Sequence, residues 1–252
     1  MRRTAELCRA AALVAAAWSA PAAAAGGVCA PLTHEGRGHV VCTVTAGAEL
    51  RLWLRDPAGA VWGGFERLDA ALRAEGTRLV FAMNAGMYHP DRAPVGLFIG
   101  DGGRPEGRLV TGAGPGNFGL LPNGVFCVRE DGFAVIESRA FAAARPECRA
   151  ASQSGPMLVI DGALHPRFLE DATSRFLRNG VGVSADGQTA HFAISDGPVT
   201  FHEFARLFRD VLDVPQALYF DGNVSRLHAP ELGRADRGRR LGPIVGLVAP
   251  DG

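Results

Sequence analysis

Residues 189–222 read TAHFAISDGPVTFHEFARLFRDVLDVPQALYFDG, and the fold class turns on how their two apolar runs pair. Residues 189–194 have strand character. Thr200 with Glu203 three positions later forms a capping-box pattern, which marks a helix start. Phe204, Leu207, Phe208, Val211 and Leu212 then recur at helical spacing, and Pro215 stops the helix. Residues 216–220 make a second apolar strand that ends at Asp221-Gly222. Strand, capped helix and strand together read as a βαβ crossover with the two strands parallel and adjacent. On that reading Asp196 and Asp221 leave the sheet at one edge, where α/β sheets tend to place their sites.

Outward from this stretch, the same succession occurs earlier. Leu68, Ala71 and Leu72 give residues 65–75 a helical stripe, with Gly76 placed as its C-cap. A strand over 78–83 follows and runs into Asn84-Ala85-Gly86. Elsewhere the pattern is one of hairpins, because Asp-Gly between apolar runs supplies the positive φ that tight turns need. Residues 125–128 and 133–137 flank Glu130-Asp131-Gly132, and residues 157–160 run into Asp161-Gly162. Residues 180–183 and 189–194 flank Ala185-Asp186-Gly187. No linker, charge run or repeat divides residues 26–252. The expected fold is α+β: a single domain with a mixed, partly parallel sheet, β-hairpins and a few packed helices.

The 252 residues carry 26 basic side chains, all Arg, and 26 acidic ones, for a formal net charge of +0. With 47% hydrophobic and 21% charged residues, the composition is that of a globular protein and not of a disordered chain. Balanced charge excludes a nucleic-acid binder that works through a basic face. Arg2, Arg3 and Arg9, a short apolar stretch over 10–17 and small residues through Ala25 have the layout of a secretory signal peptide. Residues 1–25 are therefore expected to be removed and the mature chain to be secreted or periplasmic, with no stable membrane insertion. Loss of three Arg and Glu6 leaves 23 basic and 25 acidic groups, a formal net of −2. Loss of Cys8 leaves Cys29, Cys42, Cys127 and Cys148. Four cysteines in an exported chain suggest two disulfides with three pairings open; Cys29–Cys42 and Cys127–Cys148, each closing a short loop, are favoured.

Several polar islands could carry chemistry. The Asn84 amide both donates and accepts, Gly86 lets backbone approach a ligand, and Tyr88 offers a stacking ring. Residues 112–119 (GAGPGNFG) are Gly-rich, but Pro115 interrupts them and no helix pattern follows, so they read as a surface loop or lid and not a phosphate cradle. Gln153 and Ser154 precede a strand; Ser154 stands outside any G-x-S-x-G elbow. Arg178 and Asn179 begin a strand, and a planar guanidinium there suits bidentate phosphate binding. Asp221, Gly222, Asn223 and Ser225 close the second strand of the opening stretch. Asp196 with Asp221 offers paired carboxylates for acid–base chemistry or for a hard cation.

Taken in order, six islands resemble the phosphodiester glycosidase family: Asn84-Ala-Gly-Met-Tyr, Val95-Gly-Leu-Phe, Pro122-Asn-Gly-Val-Phe, Gln153-Ser-Gly-Pro, Arg178-Asn-Gly-Val and Asp221-Gly-Asn-Val-Ser. The resemblance implies hydrolysis of a sugar-1-phosphodiester at the glycosidic C–O bond, with Asn84, Gln153, Arg178, Asn179, Asp221 and Ser225 lining the site. Arg178 would then stabilise the leaving phosphate, Asp221 the oxocarbenium-like carbon or the attacking water, and Ser225 would position Asp221 or a phosphate oxygen. Asn223 departs from the family's commoner D-G-G-x-S form. No cofactor is expected, with a divalent cation left open. The expected partner is a sugar-phosphate glycan or small phosphodiester, with no nucleic acid. Two alternatives accompany this reading: a metal-assisted phosphodiesterase that cuts P–O, and a carbohydrate-binding envelope protein without catalysis.

Overall fold

The computed structural model describes residues 27–100, 102–222 and 224–252. The expected signal peptide at 1–25 lies outside them, as does Asn223. The described chain opens with a hairpin, β1 (Cys29–His34) and β2 (Arg37–Thr45), then β3 (Leu50–Trp53). Helix α1 (Phe65–Ala74) leads into β4 (Thr77–Asn84), and short strands β5 (Phe98–Ile99) and β6 (Pro105–Glu106) follow. The next hairpin is β7 (Gly124–Val128) with β8 (Phe133–Glu137). After α2 (Ser138–Ala144) come β9 (Ala150–Ser154), β10 (Met157–Ile160) and β11 (Ala163–Leu164). Strands β12 (Asn179–Val183) and β13 (Thr189–Ser195) form a further hairpin. Helix α3 (Phe201–Arg206), extended by a π turn over Leu207–Val211, connects to β14 (Gln216–Asp221). The chain finishes with β15 (Leu227–Ala229), β16 (Arg234–Ala235) and β17 (Ile244–Pro250).

The strands build three sheets. One has seven strands in the order β1-β2-β13-β12-β14-β10-β11; the second runs β16-β15-β4-β17-β3 and the third β6-β5-β9-β7-β8. Every pairing among them is antiparallel. The α+β class stands, with its hairpins and few helices, but the partly parallel sheet does not. The βαβ crossover fails for a specific reason: β13 has no free edge. Strand β2 pairs with one side of it, and β12 occupies the other through the Asp186-Gly187 hairpin. Strand β14 therefore pairs with the far edge of β12. The glycines of β12 make room for this. A Cβ at Gly180 would lie 2.5 Å from the Leu218 carbonyl oxygen, and one at Gly182 would meet Val214 at 2.6 Å and Phe208 at 2.7 Å. Strands β13 and β14 still run in the same direction, one strand apart.

Local signals behave as their chemistry requires. Thr200 Oγ1 accepts from the Glu203 N–H at 3.1 Å, and Glu203 Oε2 accepts from the Thr200 N–H at 2.9 Å, the two halves of the capping box. Gly76 follows α1 with φ +79°. Disulfides join Cys29 to Cys42, directly across the β1–β2 ladder, and Cys127 to Cys148. The largest apolar cluster draws on all three sheets. At its centre Phe192 of β13 meets Phe81 of β4 at 5.4 Å and the edge of Phe126 of β7 at 5.5 Å. This core fixes the sheets against one another, so polar groups at the strand ends are held on rigid supports.

Candidate active site

Three of the polar islands converge where β4 and β14 end and β12 begins. Asn84 and Asn179 are both fully buried. Asn84 Nδ2 donates to Asn179 Oδ1 at 3.1 Å, and Asn179 Nδ2 donates to the Asn84 carbonyl at 2.7 Å. The remaining Asn84 oxygen accepts the Arg226 N–H at 3.0 Å. Ser225 Oγ lies 2.7 Å from the Asp221 carbonyl and 3.2 Å from Asn179 Oδ1. This cluster clamps the second sheet to the first, because buried amides are costly unless satisfied. It fixes the backbone at Asp221 and at Arg226.

Asp221 is half-buried, and its Oδ1 accepts the Gly222 N–H at 2.6 Å. It opens into a cleft of about 620 Å³ shared with Tyr88, Arg92, Asn117, Val224 and Arg239. The Tyr88 hydroxyl donates to the Arg240 carbonyl at 3.0 Å, and the Arg92 guanidinium lies over its ring at 5.2 Å. Burial and the Asp221 charge both raise the Tyr88 pKa, so the phenol keeps its proton at neutral pH. Two guanidiniums, one carboxylate, one phenol and the His89 imidazole in a single cleft suit a ligand that combines hydroxyls with a negatively charged group.

Arg178, expected to grip phosphate, is 1% exposed. Its guanidinium lies 3.6 Å from the Phe201 ring centroid. It donates to the carbonyls of Val199 at 2.9 Å and Ser174 at 3.3 Å, and to the Tyr219 hydroxyl at 3.3 Å. Burial without a carboxylate partner among the described contacts lowers its pKa. The Tyr219 hydroxyl also lies beside the side-chain amide of Asn117, so Arg178 reaches the cleft through Tyr219. A Cβ at Gly222 would lie 2.3 Å from that hydroxyl.

Other predicted residues have internal partners. Gln153 Oε1 accepts from Leu97 and Val110 N–H groups, and its Nε2 donates to the Val110 carbonyl and Ser138 Oγ. The amide thus pins Leu97 and Val110 to β9. Ser154 Oγ donates to the Phe220 carbonyl at 2.9 Å, and Gly86 lies against Ser152 and Gln153. Asp196 pairs with Arg234 at 2.6 Å. It leaves the same end of the sheet as Asp221, but β12 separates their strands by two spacings, about 10 Å, so the two carboxylates are not a couple. Among the described residues, no group of three or more His, Cys, Asp or Glu is placed to hold a metal ion. The polar cleft residues that sequence reasoning passed over are His89, Arg92, Asn117 and Arg239. The signal for Asn117 was its place in the Gly-rich 112–119 loop, and for Arg239 its place in the basic run 237–240; Arg92 carried none.

Comparison with known proteins gives a consistent assignment. The sequence model of the phosphodiester glycosidase family matches residues 77–231. YigE of Escherichia coli (strain K12), an uncharacterized protein, is 35% identical over 179 residues, which are 71% of this chain and 69% of that protein. Among solved structures, the zebrafish N-acetylglucosamine-1-phosphodiester alpha-N-acetylglucosaminidase catalytic domain, auto-inhibited by its pro-peptide, superposes with a TM-score of 0.60 at 13% identity. That superposition covers 89% of this chain and 85% of the zebrafish one, and at such identity it speaks for a shared fold.

Proposed function

This chain belongs to the phosphodiester glycosidase family, and from that premise we propose that it is an exported hydrolase that splits a sugar-1-phosphodiester at the glycosidic C–O bond. Water adds to the anomeric carbon, the C1–O bond breaks with its electron pair going to the phosphate oxygen, and a sugar and a phosphomonoester are released. The observation that carries the reading is the first cleft, where Asp221 stands with Arg92 and Arg239. A phosphomonoester is a good leaving group, so the departing oxygen needs charge stabilisation more than a proton. The two guanidiniums supply it. Asp221 orients the attacking water and offsets the positive charge that develops on the sugar ring. Asn117 is a donor for sugar hydroxyls, and the Tyr88 oxygen, its proton already given to the Arg240 carbonyl, is an acceptor for one. Arg178 acts as a positioning residue through Tyr219, and Ser225 through its contact with the Asp221 carbonyl. An exported enzyme of this kind would meet its substrate in a cell-envelope or extracellular glycan.

The direct test is Asp221→Asn assayed against an N-acetylglucosamine-1-phosphodiester. The substitution keeps the side-chain shape and one acceptor oxygen, so the unfolding free energy from urea denaturation is expected to move by less than about 1 kcal/mol while kcat falls at least about a thousandfold. A variant with wild-type turnover refutes the assignment.

A further inference from the structure

The segment 237–240 (Arg-Gly-Arg-Arg) is a wall between two clefts. Arg239 lines the first; Arg237 and Arg240 line a second, of about 570 Å³, at the start of α1. Backbone carbonyls of the wall are fixed from both sides. The Tyr88 hydroxyl, from the first cleft, donates to the Arg240 carbonyl, and Arg226 Nη1, from the second, donates to the Arg239 carbonyl at 2.7 Å.

Among the described residues, three that line the second cleft each carry a buried nitrogen that lacks a partner. Trp62 Nε1 and Arg226 Nε are buried nitrogens with no hydrogen-bond partner among the described residues, and His228 Nε2 is a third. The indole and guanidinium nitrogens only donate, and a buried donor left unpaired costs about 1–3 kcal/mol. At the cleft wall the Arg237 and Arg240 guanidiniums carry further N–H donors that oxygen acceptors entering the cleft would meet. The N-terminus of α1 opens onto the same space through Gly63, Gly64 and Phe65, and its N-cap, Gly64, supplies no side-chain acceptor. Gly63 keeps the entrance clear: a Cβ there would lie 2.7 Å from Arg240 Nε. The charge is also unbalanced. Arg67 is engaged by Asp56, and Asp236 by Arg234 and the Leu227 N–H. Arg226, Arg237 and Arg240 then stand against Glu66, which approaches Arg237 only at 3.9 Å in an exposed pair, and Asp236, whose partner Arg234 is shared with Asp196.

We propose that this second cleft is an anion subsite that takes a phosphate group of the substrate chain, adjacent in that chain to the phosphodiester held at Asp221. The proposal rests on the hydrolase reading for what occupies the first cleft, and it adds the substrate class: a glycan with phosphodiesters in series. Binding is measured on the mature chain carrying Asp221→Asn, so that affinity is read apart from turnover. The first probe is inorganic phosphate, followed by the indole N–H resonance of Trp62. A saturable shift is expected, weakened at least about tenfold by Arg237→Ala combined with Arg240→Ala. No saturable shift, or one the double variant leaves unchanged, overturns the subsite. The second probes are analogues with one and with two phosphodiesters. The double variant is expected to weaken the two-phosphodiester analogue at least about tenfold and the single one less than twofold. Equal effects on both would mean that the cleft takes a free anion, and would overturn its assignment to the substrate chain. Failure of the hydrolase reading looks different: both analogues bind as described, but the wild-type chain releases no sugar.

Discussion

Gly222→Ala is a severe test of the site because it adds one methyl group at its tightest point. The new Cβ would lie 2.3 Å from the Tyr219 hydroxyl oxygen, where an ordinary contact begins at 3.4 Å, so about 1 Å of movement is needed. The next atoms, Phe176 Cβ at 3.4 Å and the Leu177 carbonyl at 3.6 Å, need not move. Tyr219 cannot yield easily. Its ring is fully buried and meets Phe201 edge-on at 4.7 Å. Displacing its hydroxyl also removes a partner of Arg178, 3.3 Å away. Overpacking costs about 1–3 kcal/mol and a hydrogen bond to a charged group about 1.5–3 kcal/mol. The two overlap, because moving the ring relieves the clash, so the expected loss is about 3 kcal/mol, or roughly 6–12 °C in Tm. The assay is a double-mutant cycle by urea denaturation with Tyr219→Phe, which removes the clashing oxygen. In that background Gly222→Ala is expected to cost about 1 kcal/mol or less. Equal costs in the two backgrounds, within about 0.5 kcal/mol, would refute the contact as the cause.

Two further outcomes follow from other parts of the fold. Thr200→Ala breaks the capping box and is expected to cost about 1 kcal/mol of unfolding free energy by urea denaturation, with Thr200→Ser restoring most of it; no loss would mean that α3 is held by packing alone. Burial lowers the His39 pKa to about 4, against an unfolded value near 6.5, so its contribution is present above pH 6.5 and is lost as pH falls towards 4. Between pH 7 and 4.5 the wild-type chain should lose about 2 kcal/mol more stability than His39→Leu, and parallel pH profiles for the two would contradict that burial.

The sequence carried the local structure well because local structure is written in short-range chemistry. Thr200 and Glu203 announced the helix start, and the Asp-Gly pairs at 131–132, 161–162 and 186–187 announced hairpins through the φ they require. Pairing between distant segments was less legible. Nothing within residues 189–222 reveals that β2 already covers the outer edge of β13, and that contact decides against the parallel sheet. The site shows the same division. Asn84, Asn179, Asp221 and Ser225 converge, and their amide and hydroxyl chemistry was visible as motifs. Arg178 stood out for its charge, but the aromatic enclosure by Phe201 and Tyr219 forms only on folding. Arg92 and Arg239 looked like two among 26 arginines until the fold set them beside Asp221.

The central claim concerns which bond breaks, and water labelled with heavy oxygen reads it directly. The mature chain is incubated with an N-acetylglucosamine-1-phosphodiester in that water, and the products are weighed by mass spectrometry. Cleavage of the glycosidic C–O bond places the label in the released sugar, which is the expected result. Label in the phosphomonoester would mean P–O cleavage and would contradict the phosphodiester glycosidase mechanism.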